Sequence, residues 1–575
     1  MKELSGVAKI SCAVSRVSSW AMILVTVAIS MTASGFLMAQ PRIQRSRRLR
    51  QVGQQLNRQF IPGIDLDSWT NVLVHPSGTE SPTSFSLPTE GQILLDKREP
   101  RAIFADLLAR LKKIKLIGAN DEESAQNYAN LARRFEEMRQ WYRYDLKIPI
   151  LQKRRVLYLM QILAEEIMYV GSKKYPTQFP PVIRVSQLDP QAAELAEKNP
   201  RAATFVGYRV LTGDVILSKA VGDGSSELIA FLMRSRHIFS HVTVADVDPQ
   251  THSLMSPEAL IQDGLKLRWI DSEYDPKPPK EPTKSRIFIY RLVASPQTEN
   301  QVSNAVAEGV DRFVSWMYSR VKDPFQEAAA PYDHSMNPFK QNQFICTTTV
   351  WNIYNRVKAI LQSQAGTRNI KYDVDFFRDD INGYAEPYWS DVNPRNALLV
   401  KALGVKRISI PAPGDLEVDP NFELVGSVVN VSTLPQERIE AAIVDYILNF
   451  FGSRRVQEVL GFLAKLRQVN WTPQEMAALE KADVLPAAAL KKMQAISRQI
   501  PPGMSVNQVT FFYFLDNVFT PKIRAMVTAQ VGSKIIGFDS LYSLVAGDVN
   551  AVWKNTVRKF AGIHQLNDCS AVLQH

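Results

Sequence analysis

The hydrophobic period changes twice along this chain, and that change constrains the fold most. Over 96–180 apolar residues recur at helical spacing, as in RAIFADLLARLKKIKLI. Over 181–430 short β-branched runs replace them, most of them bounded by turn residues as strands are, for example GDVILSKA, SHVTVADV and RIFIYRLV. Over 431–575 the pattern is helical again. The sequence therefore predicts an α+β protein whose antiparallel sheet lies between two helical regions.

Length and composition exclude several classes of protein. A chain of 575 residues is too long for one compact core and suggests roughly two to four domains. Hydrophobic residues make up 45% and charged residues 22%, which are globular values and exclude a collagen or a coiled coil. Three cysteines exclude a dense disulfide framework. Walker, GxGxxG, CxxC and HExxH motifs are all missing, so neither a cofactor nor a metal site is predicted.

The N-terminal segment, 1–40, is predicted to be a signal peptide or a membrane anchor. Residues 17–41 carry no charge, and this segment is long enough to span a bilayer. Lys2, Lys9 and Arg16 precede it, as in a secretory signal. A cleaved signal, an uncleaved anchor and an inverted anchor all fit this pattern. We expect export, with the protein in the cell envelope, either periplasmic or membrane-anchored.

A basic and then Pro/Ser-rich stretch, 41–95, is predicted to be a linker. Its first part, PRIQRSRRLRQVGQQLNRQF, holds six arginines and no acid. Such a run can bind anionic lipid or nucleic acid, or lie as a solvated juxtamembrane segment. Because no nucleic-acid-binding motif follows it, we predict membrane association through the N-terminal segment and no nucleic-acid partner.

Cys346 opens a predicted helix, CTTTVWNIYNRVKAIL, and is a candidate nucleophile. A free cysteine is usually a small buried hydrophobe. In the first turn of a helix, however, the dipole and the N–H groups favour a thiolate and can supply oxyanion-hole donors. A nucleophilic cysteine also needs a general base, most often histidine.

Four histidines of the predicted sheet domain are candidate bases: His237, His241, His252 and His334. His241 opens the strand SHVTV and would share a sheet face with Thr243. A lone strand histidine is more often structural than catalytic, so the residues by themselves leave both interpretations of Cys346 open.

The order of the motifs resembles that of permuted NlpC-type papain-like cysteine hydrolases, the YiiX/YaeF-like group. The matching segments are, in order, TGDVIL, SSELIAFLMRSR, FSHVTV, PEAL, RIFIYRL, PYDHSMNPF and FICTTTVW, followed by IPAPGDLEVDPNFELVG. They cover about 205–430. The resemblance implies a circularly permuted papain-like domain at 181–430.

The resemblance also implies a set of site residues. Cys346 would be the nucleophile, His241 the base and Glu258 the acid that orients the imidazole, with His252 as a rival for the third role. The acids of the GD and YD motifs, Asp214 and Asp333, would fix turns nearby.

Three functions follow from this resemblance. The leading hypothesis is an envelope-associated cysteine hydrolase that cleaves an amide bond, for example in a cell-wall peptide, through an acyl-thioester. A lipid-directed acyl hydrolase or acyltransferase on the same fold is the first alternative, favoured by the leader and the arginine-rich stretch. A catalytically idle binding or scaffold protein, whose helical regions dock partners, is the second. The predicted partner is a peptide or a lipid-linked substrate, and the sequence assigns no protein partner.

Overall fold

The chain divides into two compact units, Met1–Asn57 and Arg58–His575. A computed structural model describes residues of the second unit only. These are 65–80, 100–143, 150–186, 199–220, 239–261, 263–270, 284–294, 298–333, 342–368, 390–391, 409–410, 412–419, 421–450, 464, 473–481, 491, 511 and 513–563. The predicted leader and the arginine-rich stretch lie outside them. Among the helices in these ranges, none is long and apolar enough to cross a bilayer.

The described strands form antiparallel sheets, as the sequence predicted. They are β1 (Val182–Ser186), β2 (Ala202–Phe205), β3 (Tyr208–Leu211), β4 (Val215–Ala220), β5 (His241–Val244), β6 (Asp246–Val247), β7 (Leu254–Leu260), β8 (Gly264–Trp269), β9 (Lys284–Leu292), β10 (Ser390–Asp391), β11 (Ser409–Ile410) and β12 (Phe422–Asn430). The main sheet has the order β1-β12-β9-β4-β5, and a smaller one has the order β6-β7-β8. Every pairing between these strands is antiparallel.

Helices precede and follow the sheet in sequence, again as predicted. They are α1 (Leu66–Val74), α2 (Pro100–Leu111), α3 (Asp121–Arg143), α4 (Ile150–Lys174), α5 (Glu299–Arg320), α6 (Cys346–Arg368), α7 (Leu434–Phe450), α8 (Pro473–Lys481), α9 (Thr520–Val531) and α10 (Phe538–Ile563). The observed fold is thus α+β. The boundaries at 180 and 430 stay sequence predictions, as does the permuted papain-like fold.

Helix α1 lies inside the stretch that the sequence predicted to be a linker. Asp65 caps it by accepting hydrogen bonds from the backbone N–H groups of Asp67 and Ser68. Its Trp69 is buried and stacks on Phe104 of α2. The linker prediction was wrong for 66–74. The apolar face of this nine-residue helix is short, and the Pro/Ser-rich sequence after it is typical of a linker.

The main sheet is covered on both faces. Alternate residues of β4 and β9 enter different cores, because successive side chains of a strand point to opposite faces. Leu217 and Phe288 belong to the large core that includes the helices. Ile216 and Ile289 belong to a second core beneath the hairpin of β2 and β3. Sequence analysis missed this hairpin and did not assign β12 as a strand, although β12 pairs with both β1 and β9.

Buried ion pairs join the helices to the sheet domain. Arg139 of α3 pairs with Glu417 and Arg154 of α4 with Asp415, both in the short helix Pro413–Val418 before β12. Arg286 of β9 pairs with Glu165 of α4. Such buried pairs stabilise weakly in net terms, but removing one partner is costly. They therefore fix how the helical layers sit on the sheet.

Candidate active site

Helix α6 begins at Cys346, the residue at which the sequence predicted it to begin. The turn is closed by the threonines that follow. The backbone N–H of Ile345 donates to Thr348 Oγ1 at 2.9 Å, and the Thr349 N–H makes the first helical bond to the Ile345 carbonyl at 3.0 Å. Cys346 thus occupies the first helical position, where backbone N–H groups lack intrahelical acceptors.

His241 is the first residue of β5 and lies beside both other predicted site residues. It hydrogen-bonds Cys346, and its Nε2 lies 3.5 Å from Glu258 Oε1 of β7. At that distance Nε2 makes no hydrogen bond to a described atom, so the carboxylate acts on the ring mainly through its charge. With Nε2 toward Glu258, Nδ1 is the ring nitrogen left to face the thiol. The structure thus brings together the three residues that the sequence selected.

A second contact fixes β7 against β5. Thr243 Oγ1 hydrogen-bonds Ser256 Oγ, two residues from His241 on one strand and two from Glu258 on the other. Side chains two apart on a strand share a face. The Thr243–Ser256 and His241–Glu258 contacts therefore form one row, and His241 and Thr243 share a face as predicted.

Opposite charges control the protonation of His241. Its side chain is buried, which by itself lowers an imidazole pKa. The interaction with Cys346 and the negative charges of Glu258 and Cys346 outweigh the burial and raise the pKa of His241 from 6.5 to about 9. At neutral pH this imidazole therefore holds its proton.

Glu258, and not His252, lies where it can orient the imidazole of His241. His252 lies in the turn between β6 and β7, with a φ of 54°, and its Nδ1 lies 3.2 Å from the carbonyl oxygen of Ala202. Glu258 is 2% exposed and faces His241 directly. Of the other two candidate bases, His237 and His334, both lie outside the described residues.

The GD and RL motifs meet in a turn that supports the site. Gly213 has a φ of 96°, and Asp214 accepts the backbone N–H of Leu211 at 2.8 Å. Both carboxylate oxygens of Asp214 also bind the guanidinium of Arg291, at 2.8 and 2.7 Å. The hydroxyl of Tyr354, two turns along α6 from Cys346, donates to the Gly213 carbonyl. Asp214 therefore fixes a turn, as the sequence predicted, and the same turn anchors α6.

Tyr332 is the neighbour of Cys346 that sequence analysis missed. It pairs with Phe344 in a short bridge that leads into α6, and the Asp333 N–H donates to the Phe344 carbonyl at 2.8 Å. Burial, followed by the charges of Cys346 and Asp333, raises the pKa of Tyr332 well above its usual value. The motif PYDHSMNPF contained the signal, but only its acid was considered.

This arrangement has the parts that acyl transfer requires. The imidazole lies between the thiol and the carboxylate in space. The thiol is at a helix N-terminus, whose N–H groups can bind an oxyanion. Chain order does not matter to such a triad, since geometry alone decides it.

Comparisons of the chain with protein-family models, with curated proteins and with solved structures gave no match. The candidate function therefore rests on the geometry of Cys346, His241 and Glu258 and on the order of the motifs.

Proposed function

We propose that this protein is a cysteine hydrolase in which Cys346 attacks an acyl carbon and His241 transfers the protons. The observation that carries this proposal is the position of His241 between Cys346 and Glu258, with all three residues buried.

The charges of the pair suit a thiolate mechanism. The negative charge of Cys346 is among the causes that raise the pKa of His241, and coupling of this kind is reciprocal, so the imidazolium stabilises a thiolate. The thiolate adds to the carbonyl carbon, and the Cys346 N–H at the start of α6 is placed to bind the oxyanion.

Two half-reactions complete the cycle. His241 gives its proton to the leaving nitrogen, the carbon–nitrogen bond breaks, and an acyl-thioester remains on Cys346. Neutral His241 then takes a proton from water as that water attacks the thioester. The acid leaves, the thiolate returns, and His241 is protonated again. Glu258 holds the ring and stabilises its cationic form throughout.

The bond cleaved is proposed to be an amide in a peptide of the cell envelope, as the motif resemblance implies. The uncharged segment 17–41 supports a location at or across a membrane. The arginine-rich stretch after it favours a second candidate, the cleavage or transfer of lipid acyl groups by the same thiol, since anionic lipid attracts such segments.

Labelling tests the chemistry before the substrate is known. The full-length protein is treated with iodoacetamide at pH 6, and the modification of Cys346 and Cys569 is followed by mass spectrometry. We expect Cys346 to react faster, because an ordinary thiol is mostly protonated at that pH. Equal or slower labelling of Cys346 would favour the scaffold hypothesis.

A substrate screen then separates the two candidate reactions. Peptide amides and lipid esters are each incubated with the wild type and with Cys346→Ser. Turnover of only one class by the wild type identifies the reaction, and an acyl adduct on Cys346 traps its intermediate. Turnover that survives in Cys346→Ser would contradict the proposed nucleophile.

A further inference from the structure

A cavity lies away from Cys346, among α4, α7, α9 and the start of α10. Its volume is about 370 Å³, within the usual range for small-molecule pockets. The described residues that line it are Tyr169, Lys173, Ser432, Pro435, Gln436, Arg438, Ile439, Arg524, Thr528, Val531, Gly532, Ile536 and Leu541. None of these residues belongs to the candidate active site.

The charged groups that line this cavity are all cationic. Lys173, Arg438 and Arg524 face it, and no carboxylate is among the described residues that line it. Like charges brought together around one space favour an anion within it, because each cation lowers the energy of a negative charge there.

Arg438 and Arg524 each pair with a carboxylate behind the cavity wall, whereas Lys173 has no carboxylate partner among the residues that the structure describes. Arg438 pairs with Glu166 at 2.6 Å, and Arg524 with Glu440 at 3.0 Å. Lys173, in contrast, donates to a neutral group, the carbonyl of Gly532, at 3.3 Å. The site therefore has a net charge of about one positive unit, which a ligand with a single negative charge would balance.

The arginine at the cavity wall is held rigidly. Besides Glu166, Arg438 donates to the carbonyl of Ile536 at 2.9 Å, and its guanidinium stacks 3.7 Å from the ring centre of Tyr169. A cation that is already oriented loses little conformational freedom when an anion binds.

Part of the wall is apolar. Ile439, Val531 and Leu541 are buried core residues, and Ile536 packs partly buried against the same core. A free inorganic anion would leave this surface against water, whereas a hydrocarbon chain would cover it and gain roughly 25 cal/mol for each Å² removed from water.

We infer that this cavity binds an amphiphilic monoanion, a single carboxylate or similar anionic head on a short hydrocarbon chain. The head lies among Lys173, Arg438 and Arg524, and the chain lies along Ile439 and Leu541. This site is separate from the proposed hydrolase function and does not require Cys346.

The test is calorimetric titration of the full-length protein in nanodiscs, with the titration of empty nanodiscs subtracted. Decanoate, decyl sulfate, decanol and inorganic phosphate are compared below their micellar concentrations. We expect decanoate and decyl sulfate to bind at least tenfold more tightly than decanol or phosphate, and more weakly as salt screens the charges. Equal binding of decanol would overturn the anionic part of the inference, and tight phosphate binding would overturn the apolar part.

Two variants locate the site. Lys173→Gln should weaken decanoate binding about tenfold, whereas Lys554→Gln, an exposed lysine of α10 outside the cavity, should leave it unchanged. Thr528→Trp, at an exposed position of the lining, should block the cavity without removing a charge. Decanoate affinity equal to wild type in both Lys173→Gln and Thr528→Trp would overturn the inference. Cys346→Ser should bind decanoate normally, which separates this result from the fate of the proposed hydrolase.

Discussion

Arg291 and Asp214 join two motifs that lie 77 residues apart, through two hydrogen bonds of 2.8 and 2.7 Å. The carboxylate is 2% exposed, so loss of Arg291 would leave it buried without its cation. Because the turn at Asp214 leads into β4 and receives the hydroxyl of Tyr354 from α6, the pair connects both sides of the candidate site.

Removing the guanidinium should therefore be costly. We expect Arg291→Ala to lower the free energy of unfolding by about 3–5 kcal/mol, because it leaves a buried carboxylate without its cation. The matched control is Arg312→Ala, whose pair with Glu308 is exposed, and its cost should stay below about 1 kcal/mol. Denaturant unfolding measures both, and similar losses would contradict the role given to Arg291.

Gly213 should tolerate no side chain. Its φ is 96°, and a Cβ built there would lie 1.8 Å from Val306 Cγ1 of α5. Strain and overpacking together predict that Gly213→Ala costs about 2–5 kcal/mol. Gly547 of α10 has open space at the same position, so Gly547→Ala should stabilise by about 0.5–1 kcal/mol. Thermal unfolding compares the two, and a neutral Gly213→Ala would show that the turn can relax.

The protonation of His241 should make stability depend on pH. Its pKa is raised from 6.5 to about 9 in the folded protein, so the folded state binds the proton more tightly than the unfolded state. The resulting stabilisation is complete below pH 6.5 and is lost as pH rises toward 9. The free energy of unfolding of the wild type, relative to that of His241→Gln, should therefore fall by about 3 kcal/mol between pH 6.5 and pH 9. A difference in unfolding free energy that stays constant from pH 6 to 9 would refute this.

Substitutions of His241, Glu258 and His252 should differ clearly in their effect on the reactivity of Cys346. His241→Ala should slow alkylation of Cys346 at pH 6 by about tenfold or more, because the thiolate is the nucleophile and loses the neighbouring imidazolium. Glu258→Gln should slow it less, because Glu258 acts through the imidazole. His252→Gln should have no effect, since its ring binds the Ala202 carbonyl. Iodoacetamide kinetics give the ranking, and a large effect of His252→Gln would reopen the choice of the third residue.

Local signals predicted much of the candidate site. The polar-to-apolar change before Cys346 marked the start of α6, and the β-branched run after His241 marked β5. What the sequence could not provide were contacts between distant segments. The pair of Arg139 with Glu417 spans 278 residues, and no local period encodes it.

The missed elements have physical reasons as well. The start of β12 overlaps the segment that resembles a PGD motif, so the strand was missed, although its Leu424, Val425 and Val429 are apolar and buried. Tyr332 lies beside Cys346 only because a single bridge to Phe344 brings the two segments together. Long-range pairing of this kind overrides local preference, which is why the site residues were easier to select than their surroundings.

Substitution of Glu437 should show how much the contact between α7 and the main sheet contributes to the free energy of unfolding. This buried residue of α7 pairs with Lys219 of β4 and Arg286 of β9, at 3.5 and 3.4 Å. The contact therefore joins α7 to two strands of the main sheet. Lys219 adjoins Ser218, which pairs with His241 across β4 and β5.

Glu437→Ala should lower the free energy of unfolding by about 3–5 kcal/mol near neutral pH, because it leaves two buried cations with fewer partners. Burial raises the pKa of Glu437, but the charges of Arg286 and Lys219 outweigh it and hold the pKa below 4.5. Its contribution is therefore present above pH 4.5 and lost as pH falls through the folded pKa. The gap between wild type and Glu437→Ala should close in acid, while exposed Glu327→Ala should match the wild type throughout. A gap that persists unchanged at low pH would mean that Glu437 stabilises the fold by packing and not by charge.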